Sequence, residues 1–152
     1  MKIVITSGYF NPVHTGHLSL LKEAAKLGDK LIVIVNNDKQ VAIKGATPFM
    51  DEKSRLEIVK SLKWVHDAVI ATDQDGSVTS TIALIQKQFR RYDLIFANGG
   101  DRNPDNHVSS EVKYCIGAGI ELAYGVGCNK VTSSSNLIED AVRNKLTEWG
   151  CH

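Results

Sequence analysis

Hydrophobic residues occur along this chain in two alternating patterns. Short runs of consecutive apolar residues are typical of strands buried on both faces, whereas longer stretches with apolar residues every three or four positions are typical of amphipathic helices. The short runs predict strands at residues 2–6, 30–35, 67–71, 93–97 and 120–124. The longer stretches predict helices at residues 17–27, 51–63, 78–89, 109–117 and 133–148.

This alternation predicts the fold class, an α/β domain in which helices cover both faces of a doubly wound, five-stranded parallel sheet. In such sheets, ligands bind beyond the carboxyl ends of the strands, where the strand order reverses. At the helix ends, Gly28 is placed to cap the first helix and Asp51 to begin the second. Residues 36–50 show no clear periodicity, so we expect a mobile loop there.

Length and composition predict a single domain over residues 1–152, because one domain typically takes roughly 100–200 residues. Lys and Arg number 18 and Asp and Glu number 17, so the net charge of +1 provides no overall attraction to nucleic acid or to a membrane, and we expect neither partner. The cysteines Cys115, Cys128 and Cys151 lack the spacing of a metal site. Reduced thiols in a cytoplasmic protein are the simplest interpretation.

The chemistry is concentrated after the first strand, in the segment TSGYFNPVHTGH. His14 and His17 flank Gly16 where a loop is predicted to become a helix. Glycine permits close approach, the first turn of a helix offers N–H groups and a positive dipole end, and imidazoles can donate to phosphate oxygens. The alternative is that His17 caps or packs the helix and His14 is a loop residue. Two histidines at the point where the strand order reverses favour a phosphate site, although the Walker and dinucleotide glycine patterns are absent.

The segment GYFNPVHTGH resembles the HxGH signature of the nucleotidyltransferase superfamily, in which G-x-F-[DN] precedes the histidines. Further segments are similar to heptose-1-phosphate adenylyltransferases and glycerol-3-phosphate cytidylyltransferases. In chain order these segments are residues 26–38, Lys44-Gly45 with Pro48 and Arg55, Gly99-Gly100-Asp101 and Ser133–Ile138. Asn11 departs from the Asp that is usual in these two families, and Arg102 departs from an aromatic residue of the heptose enzymes.

The resemblance implies a strand order of 3-2-1-4-5 and transfer of a nucleotidyl group from a nucleoside triphosphate to a small phosphorylated acceptor, with release of pyrophosphate. ATP and a sugar phosphate such as heptose 1-phosphate are the expected substrates, and CTP with glycerol 3-phosphate is the alternative. Mg²⁺ is expected to enter with the triphosphate, and no protein ligand to a metal is expected. Relatives often form dimers, so a homodimer is expected, with the segment around Trp64 and Val65 as its contact.

The resemblance also implies roles for individual residues. The implied catalytic residues are His14, His17 and Lys44. The implied nucleotide- and phosphate-binding residues are Thr6, Gly8, Tyr9, Phe10, Asn11, Gly16, Arg55, Gly99, Gly100, Asp101, Thr132, Ser133, Ser134 and Ser135. Taken singly, these residues also fit plainer interpretations: surface charges for Lys44 and Arg55, a plain turn for Gly99–Asp101 and a helix cap for Ser133–Ser135.

Two other functional classes fit the same fold. The chain could bind a nucleotide without catalysis, since a fold alone does not determine function. It could also bind RNA, by analogy with the HIGH-type synthetases, but it lacks the basic face and the added domains that this would require.

Overall fold

Five parallel strands form one sheet through the centre of the molecule. The structure is a computed structural model, and it describes residues 1–99 and 109–127. The strands are β1 (Lys2–Gly8), β2 (Lys30–Val35), β3 (Asp67–Ile70), β4 (Asp93–Gly99) and β5 (Glu121–Val126). The helices are α1 (Thr15–Ala25), α2 (Asp38–Ile43), α3 (Glu52–Lys60), α4 (Thr79–Gln88) and α5 (Ser110–Ala118). Within the described ranges, no helix is long and apolar enough to cross a bilayer.

The strand order is β3-β2-β1-β4-β5, which confirms the doubly wound topology and the implied order. β1 pairs in parallel with β2 on one side and with β4 on the other. From β1 the chain therefore proceeds outward to β2 and β3 and then returns to β4, so the order reverses beside the carboxyl end of β1. A crevice at this point is where doubly wound sheets bind ligands.

Two local predictions were wrong. Residues 36–50 are not one long loop, because they contain α2, which begins with reciprocal bonds between Asn37 and Gln40. The six residues of α2 are too few to show a helical period in the sequence. Gly28 is not the cap of α1, which ends at Lys26 in a right-handed conformation. The predicted helix at 133–148 lies outside the described residues.

Successive residues of β1 point to opposite faces of the sheet and enter two apolar cores. Ile5 packs with Ile82 in the core beneath α4 and α5. Val4 packs with Leu21 in the core beneath α1 and α3. Burial on both faces explains why the strands consist of consecutive apolar residues instead of alternating ones.

The segment that we expected to form a dimer contact contributes to the second core. Val65 is buried, and Trp64 is partly buried against the same cluster. This packing already explains the apolar character of the segment, and the homodimer stays a prediction.

Cys115 is a free, buried cysteine on α5. Burial, with a smaller contribution from the charge of Glu111, raises the pKa of its thiol to about 11. The thiol is therefore protonated at neutral pH and packs as a small apolar side chain. Cys128 and Cys151 lie outside the described residues.

We expect Gly28→Ala to lower the free energy of unfolding by about 1–3 kcal/mol, because it would overpack a filled space. A Cβ at Gly28 would lie 2.9 Å from the carbonyl oxygen of Lys2 and 2.8 Å from Cγ2 of Val4. Gly117→Ala is the matched control, since a Cβ there meets nothing within 4 Å. Alanine should stabilise α5 by about 0.5–1 kcal/mol at this position. Urea unfolding measures both variants, and an unchanged midpoint for Gly28→Ala would contradict the close contact.

Candidate active site

At the carboxyl end of β1 the chain turns through Phe10. This residue has φ 51°, a left-handed conformation that is rare for a bulky side chain, and it is fully buried. Its ring lies over Gly8, where a Cβ would come 2.9 Å from Cζ of Phe10. The ring also lies beside His17, with 4.8 Å between the ring centroids. The absence of a side chain at Gly8 thus makes room for Phe10, which in turn supports His17.

The two histidines begin α1 as a reciprocal pair. Nδ1 of His14 accepts a hydrogen bond from the N–H of Gly16, and Nδ1 of His17 accepts one from the N–H of His14, each at 3.1 Å. Their rings stack with centroids 3.8 Å apart. The arrangement is a capping box in which imidazoles replace the usual hydroxyl and carboxylate. Helix capping, which the plainer interpretation gave to His17 alone, is therefore observed for both histidines.

These bonds determine where each neutral imidazole carries its proton. A ring nitrogen that accepts a hydrogen bond from an N–H holds no hydrogen of its own, so the bonding network assigns the hydrogen to Nε2 in both His14 and His17. Nε2–H is a hydrogen-bond donor, and phosphate oxygens are acceptors. The cap thus prepares two donors at the positive end of α1, where anions bind.

Gly16 is required by the position of the His14 ring. A Cβ at Gly16 would lie 2.9 Å from Cε1 and 3.0 Å from Nδ1 of His14. Any larger residue would therefore push the ring away from the cap. This close contact gives a structural reason for the glycine between the two histidines.

Lys44 reaches the turn that bears the histidines. It is exposed at the end of α2, and its Nζ lies 4.3 Å from the centroid of the Tyr9 ring, within cation–π distance. The structure therefore brings together the three residues that we expected to be catalytic, His14, His17 and Lys44, around one turn.

Asn11 joins this turn to the segment that follows Lys44. Its Nδ2 donates to the carbonyl oxygen of Thr47 at 3.0 Å, and its Oδ1 accepts from the N–H of Phe49. Only 7% of Asn11 is exposed. The side chain therefore serves as a buried bridge between two loops.

Arg55, expected to bind phosphate, lies fully buried beneath the site. Its Nη1 donates to the carbonyl oxygens of Tyr9 at 2.7 Å and Asn36 at 2.6 Å, and its Nε donates to that of Met50 at 3.0 Å. Its Nη2 forms an ion pair with Asp38 at 2.6 Å. These bonds tie α3, which carries Arg55, to the turn after β1, to residues 36–38 and to Met50, so Arg55 has a structural role. A contact between Arg55 and phosphate stays a prediction.

Of the other predicted site residues, the structure describes some, and the rest lie outside residues 1–99 and 109–127. Thr6 is buried in β1 and donates through Oγ1 to the carbonyl oxygen of Ala97 at 3.0 Å, which ties β1 to β4. Gly99 ends β4 at the same edge of the sheet. The remaining predicted binding residues lie outside the described residues: Gly100, Asp101, Thr132, Ser133, Ser134 and Ser135.

Two residues that support the site, Asn36 and Asp38, were missed in the sequence. Both hold the guanidinium of Arg55, Asn36 through its carbonyl oxygen and Asp38 through Oδ1. A signal for them was present, because three polar residues in succession, 36–38, directly follow the buried strand β2. Polar residues at the carboxyl end of a strand next to β1 lie at the edge where the site is built.

Comparison with known proteins identifies the family to which this chain belongs. The family model described as cytidylyltransferase-like matches residues 5–116. The bifunctional protein HldE of Actinobacillus succinogenes is 36% identical over 141 residues, which is 91% of this chain and 27% of that protein. An FAD synthase of Thermoplasma acidophilum is 40% identical over 72 residues, 47% of this chain and 51% of that protein. The chain thus spans about a quarter of the length of HldE and about half of the FAD synthase.

A solved structure extends the likeness to three dimensions. The crystal structure of a lipopolysaccharide core biosynthesis protein from Thermoplasma volcanium GSS1 superposes with a TM-score of 0.68 at 28% identity. The superposition covers 85% of this chain and 99% of that one. With the family model covering more than half of the chain, these matches are sufficient to assign the family. The chain belongs to the cytidylyltransferase-like family of nucleotidyltransferases.

Proposed function

We propose that this chain transfers a nucleotidyl group from a nucleoside triphosphate to a small phosphorylated acceptor. A phosphate oxygen of the acceptor attacks the α-phosphorus in line, and a new P–O bond forms. The bond from the α-phosphorus to the bridging oxygen of the β-phosphate breaks, and pyrophosphate leaves. No covalent intermediate with the protein is needed, so the protein contributes positioning and stabilisation of charge.

The histidine cap is the observation that carries this proposal. Both Nδ1 atoms accept backbone N–H groups, so His14 and His17 present Nε2–H donors from the first turn of α1. In the reaction these donors bind oxygens of the α- and β-phosphates. Negative charge grows on the bridging oxygen and on pyrophosphate as the bond breaks, and a donor aimed at growing charge stabilises the transition state more than the ground state.

Lys44 supplies the positive charge that the turn itself lacks. Its Nζ lies against the ring of Tyr9 and is carried by an exposed segment, from which it reaches a triphosphate bound over the histidines. Mg²⁺ enters as part of the substrate, bound to phosphate oxygens and water. Among residues 1–99 and 109–127, no group of three His, Cys, Asp or Glu side chains could hold a metal ion.

ATP and a sugar phosphate of the heptose 1-phosphate type are the substrates that we favour. The segment Ser133–Ile138 resembles the S-T-T-N-I-I ending of heptose-1-phosphate adenylyltransferases, and HldE matches 91% of this chain. Another relative is an FAD synthase, and FAD contains an adenylyl group. This relationship also favours ATP as the nucleotide donor. CTP with glycerol 3-phosphate is the second candidate, supported by the cytidylyltransferase-like family model. Lys44-Gly45 fits both families and does not distinguish them.

A panel of nucleoside triphosphates crossed with phosphorylated acceptors tests the proposal, with Mg²⁺ present and pyrophosphate release as the readout. We expect release that requires both the triphosphate and the acceptor. Triphosphate binding without pyrophosphate release under any pair would instead support the non-catalytic alternative. Binding to RNA with a strong dependence on salt concentration would support the RNA-binding alternative.

We expect His14→Asn to reduce turnover about 10²- to 10³-fold, the effect of losing one donor to the transition state, roughly 3–4 kcal/mol. Asn is a good N-cap residue, so its side-chain oxygen can replace Nδ1 as the acceptor for Gly16 and maintain stability. Kinetics measure the effect on turnover, and a thermal melt measures the effect on stability. His66→Asn is the matched control, because His66 is exposed at the opposite end of the strands and should change neither quantity. Full activity of His14→Asn, or loss of the fold with the activity, would contradict the catalytic assignment.

We expect ATP to raise the melting temperature more than CTP does at equal concentration with Mg²⁺. A ligand that binds only the folded protein adds RT ln(1 + [L]/Kd), about 2.7 kcal/mol at a hundredfold excess over Kd. Thermal melts with each nucleotide measure the difference. A larger shift with CTP, together with CTP-dependent pyrophosphate release, would reverse the donor assignment and favour glycerol 3-phosphate or another alcohol phosphate as the acceptor.

A further inference from the structure

Two loops meet at the candidate active site, and polar contacts join them along their length. The first, which we call the histidine turn, comprises residues 9–14 between β1 and α1. The second, the lysine loop, comprises residues 44–51 between α2 and α3. At one end of the lysine loop, Lys44 lies over the ring of Tyr9 at 4.3 Å. At the other end, Arg55 bridges the carbonyl oxygens of Met50 and Tyr9.

Asn11 joins the middle of the lysine loop to the histidine turn. Its amide donates to the carbonyl oxygen of Thr47 at 3.0 Å and accepts from the N–H of Phe49. With 7% of its surface exposed, Asn11 is largely shielded from competition by water. The side chain therefore provides hydrogen-bond partners for two backbone groups of the lysine loop, which holds that loop against the histidine turn.

The chemistry of these bonds requires an amide. A carboxylate at position 11 could still accept from Phe49, but it has no hydrogen to donate and would place a negatively charged oxygen against the carbonyl oxygen of Thr47. Asn11 stands where the two families that this chain resembles usually have Asp. The amide therefore provides a link that the usual carboxylate cannot form.

We infer that Asn11 is a positioning residue for Lys44. By fastening the lysine loop to the histidine turn, it holds the lysine beside the phosphate site before substrate binds. Lys44 then needs no ordering of its loop during the reaction, and less conformational entropy is lost on reaching the transition state. The functional part of this inference rests on the proposed nucleotidyl transfer, whereas the fastening of the loop can be tested without any substrate.

Hydrogen exchange tests the fastening directly. In Asn11→Ala the N–H of Phe49 loses its acceptor, and we expect its exchange to accelerate about tenfold or more. In Asn11→Asp the acceptor is kept, so exchange at Phe49 should accelerate much less than in Asn11→Ala. Equal exchange rates at Phe49 in the wild type and in Asn11→Ala would overturn the inference whether or not the protein proves to be a nucleotidyltransferase.

Kinetics test whether Asn11 acts through Lys44. We expect Asn11→Asp to lower kcat about tenfold with a smaller change in KM for the triphosphate, because the lysine is displaced but the binding surface remains. In a Lys44→Ala background the same substitution should have little further effect, since the group that it positions is gone. Two results would overturn the positioning role. One is a double variant whose loss of kcat equals the product of the two single losses, and the other is an unchanged kcat in Asn11→Asp.

Gln86→Glu provides the matched control. Gln86 of α4 also donates through its amide to a backbone carbonyl, that of Ala118, at 3.1 Å, and its Oε1 accepts from the hydroxyl of Tyr114 at 2.6 Å. The substitution thus makes the same chemical change away from the histidine turn. Its kcat should equal that of the wild type, and an equal loss of kcat in both variants would assign the effect of Asn11→Asp to general destabilisation. Absence of turnover in the wild type would refute the proposed function alone and leave the exchange result to decide the fastening.

Discussion

The arrangement of the site depends on the hydrogen bonds made by the buried guanidinium of Arg55. An unpaired charge in a protein interior is very unfavourable, so a fully buried arginine requires partners for its N–H groups. The partners here are the carbonyl oxygens of Tyr9, Asn36 and Met50 and the carboxylate of Asp38. These groups come from three stretches of the chain: the turn after β1, residues 36–38 and the entry to α3. Satisfying one side chain therefore brings the ends of β1 and β2, the start of α2 and the entry to α3 to one place.

The scaffold and the proposed chemistry are connected through this cluster. Arg55 holds the carbonyl of Tyr9, and the residues that follow Tyr9 place Phe10 under His17 and begin α1 with the histidine cap. The same cap that stabilises the helix selects the tautomer of both imidazoles, so the structural role and the proposed catalytic role fall to different nitrogens of the same rings. A histidine in this position need not be assigned to one role or the other, because its two ring nitrogens serve different partners.

The features that could be predicted from the sequence are those determined by residues close together along the chain. Consecutive apolar residues such as 30–35 predicted buried strands, and HTGH, beyond the loop that follows the first strand, predicted that the histidines would lie where a helix begins. The sequence did not reveal features that depend on distant partners. Arg55 was predicted to bind phosphate and, taken singly, to be a surface charge, because nothing local shows that the carbonyls of Tyr9 and Asn36 surround it. Helix α2 was missed because it is short, and Gly28 was misassigned because its close neighbours, Lys2 and Val4, belong to another element.

In the proposed reaction, backbone N–H groups occupy Nδ1 of both histidines, and this directs Nε2–H to the nucleotide. Nitrogen-15 NMR of the histidine side chains tests it directly, because a ring nitrogen that bears hydrogen and one that does not have well-separated chemical shifts. At a pH where the rings are neutral, we expect His14 and His17 both to be in the Nε2–H form, and we expect Mg²⁺ with ATP to shift the Nε2 resonances while Nδ1 stays unprotonated. Protonation at Nδ1 in either histidine, or Nε2 resonances that do not respond to bound nucleotide, would contradict it.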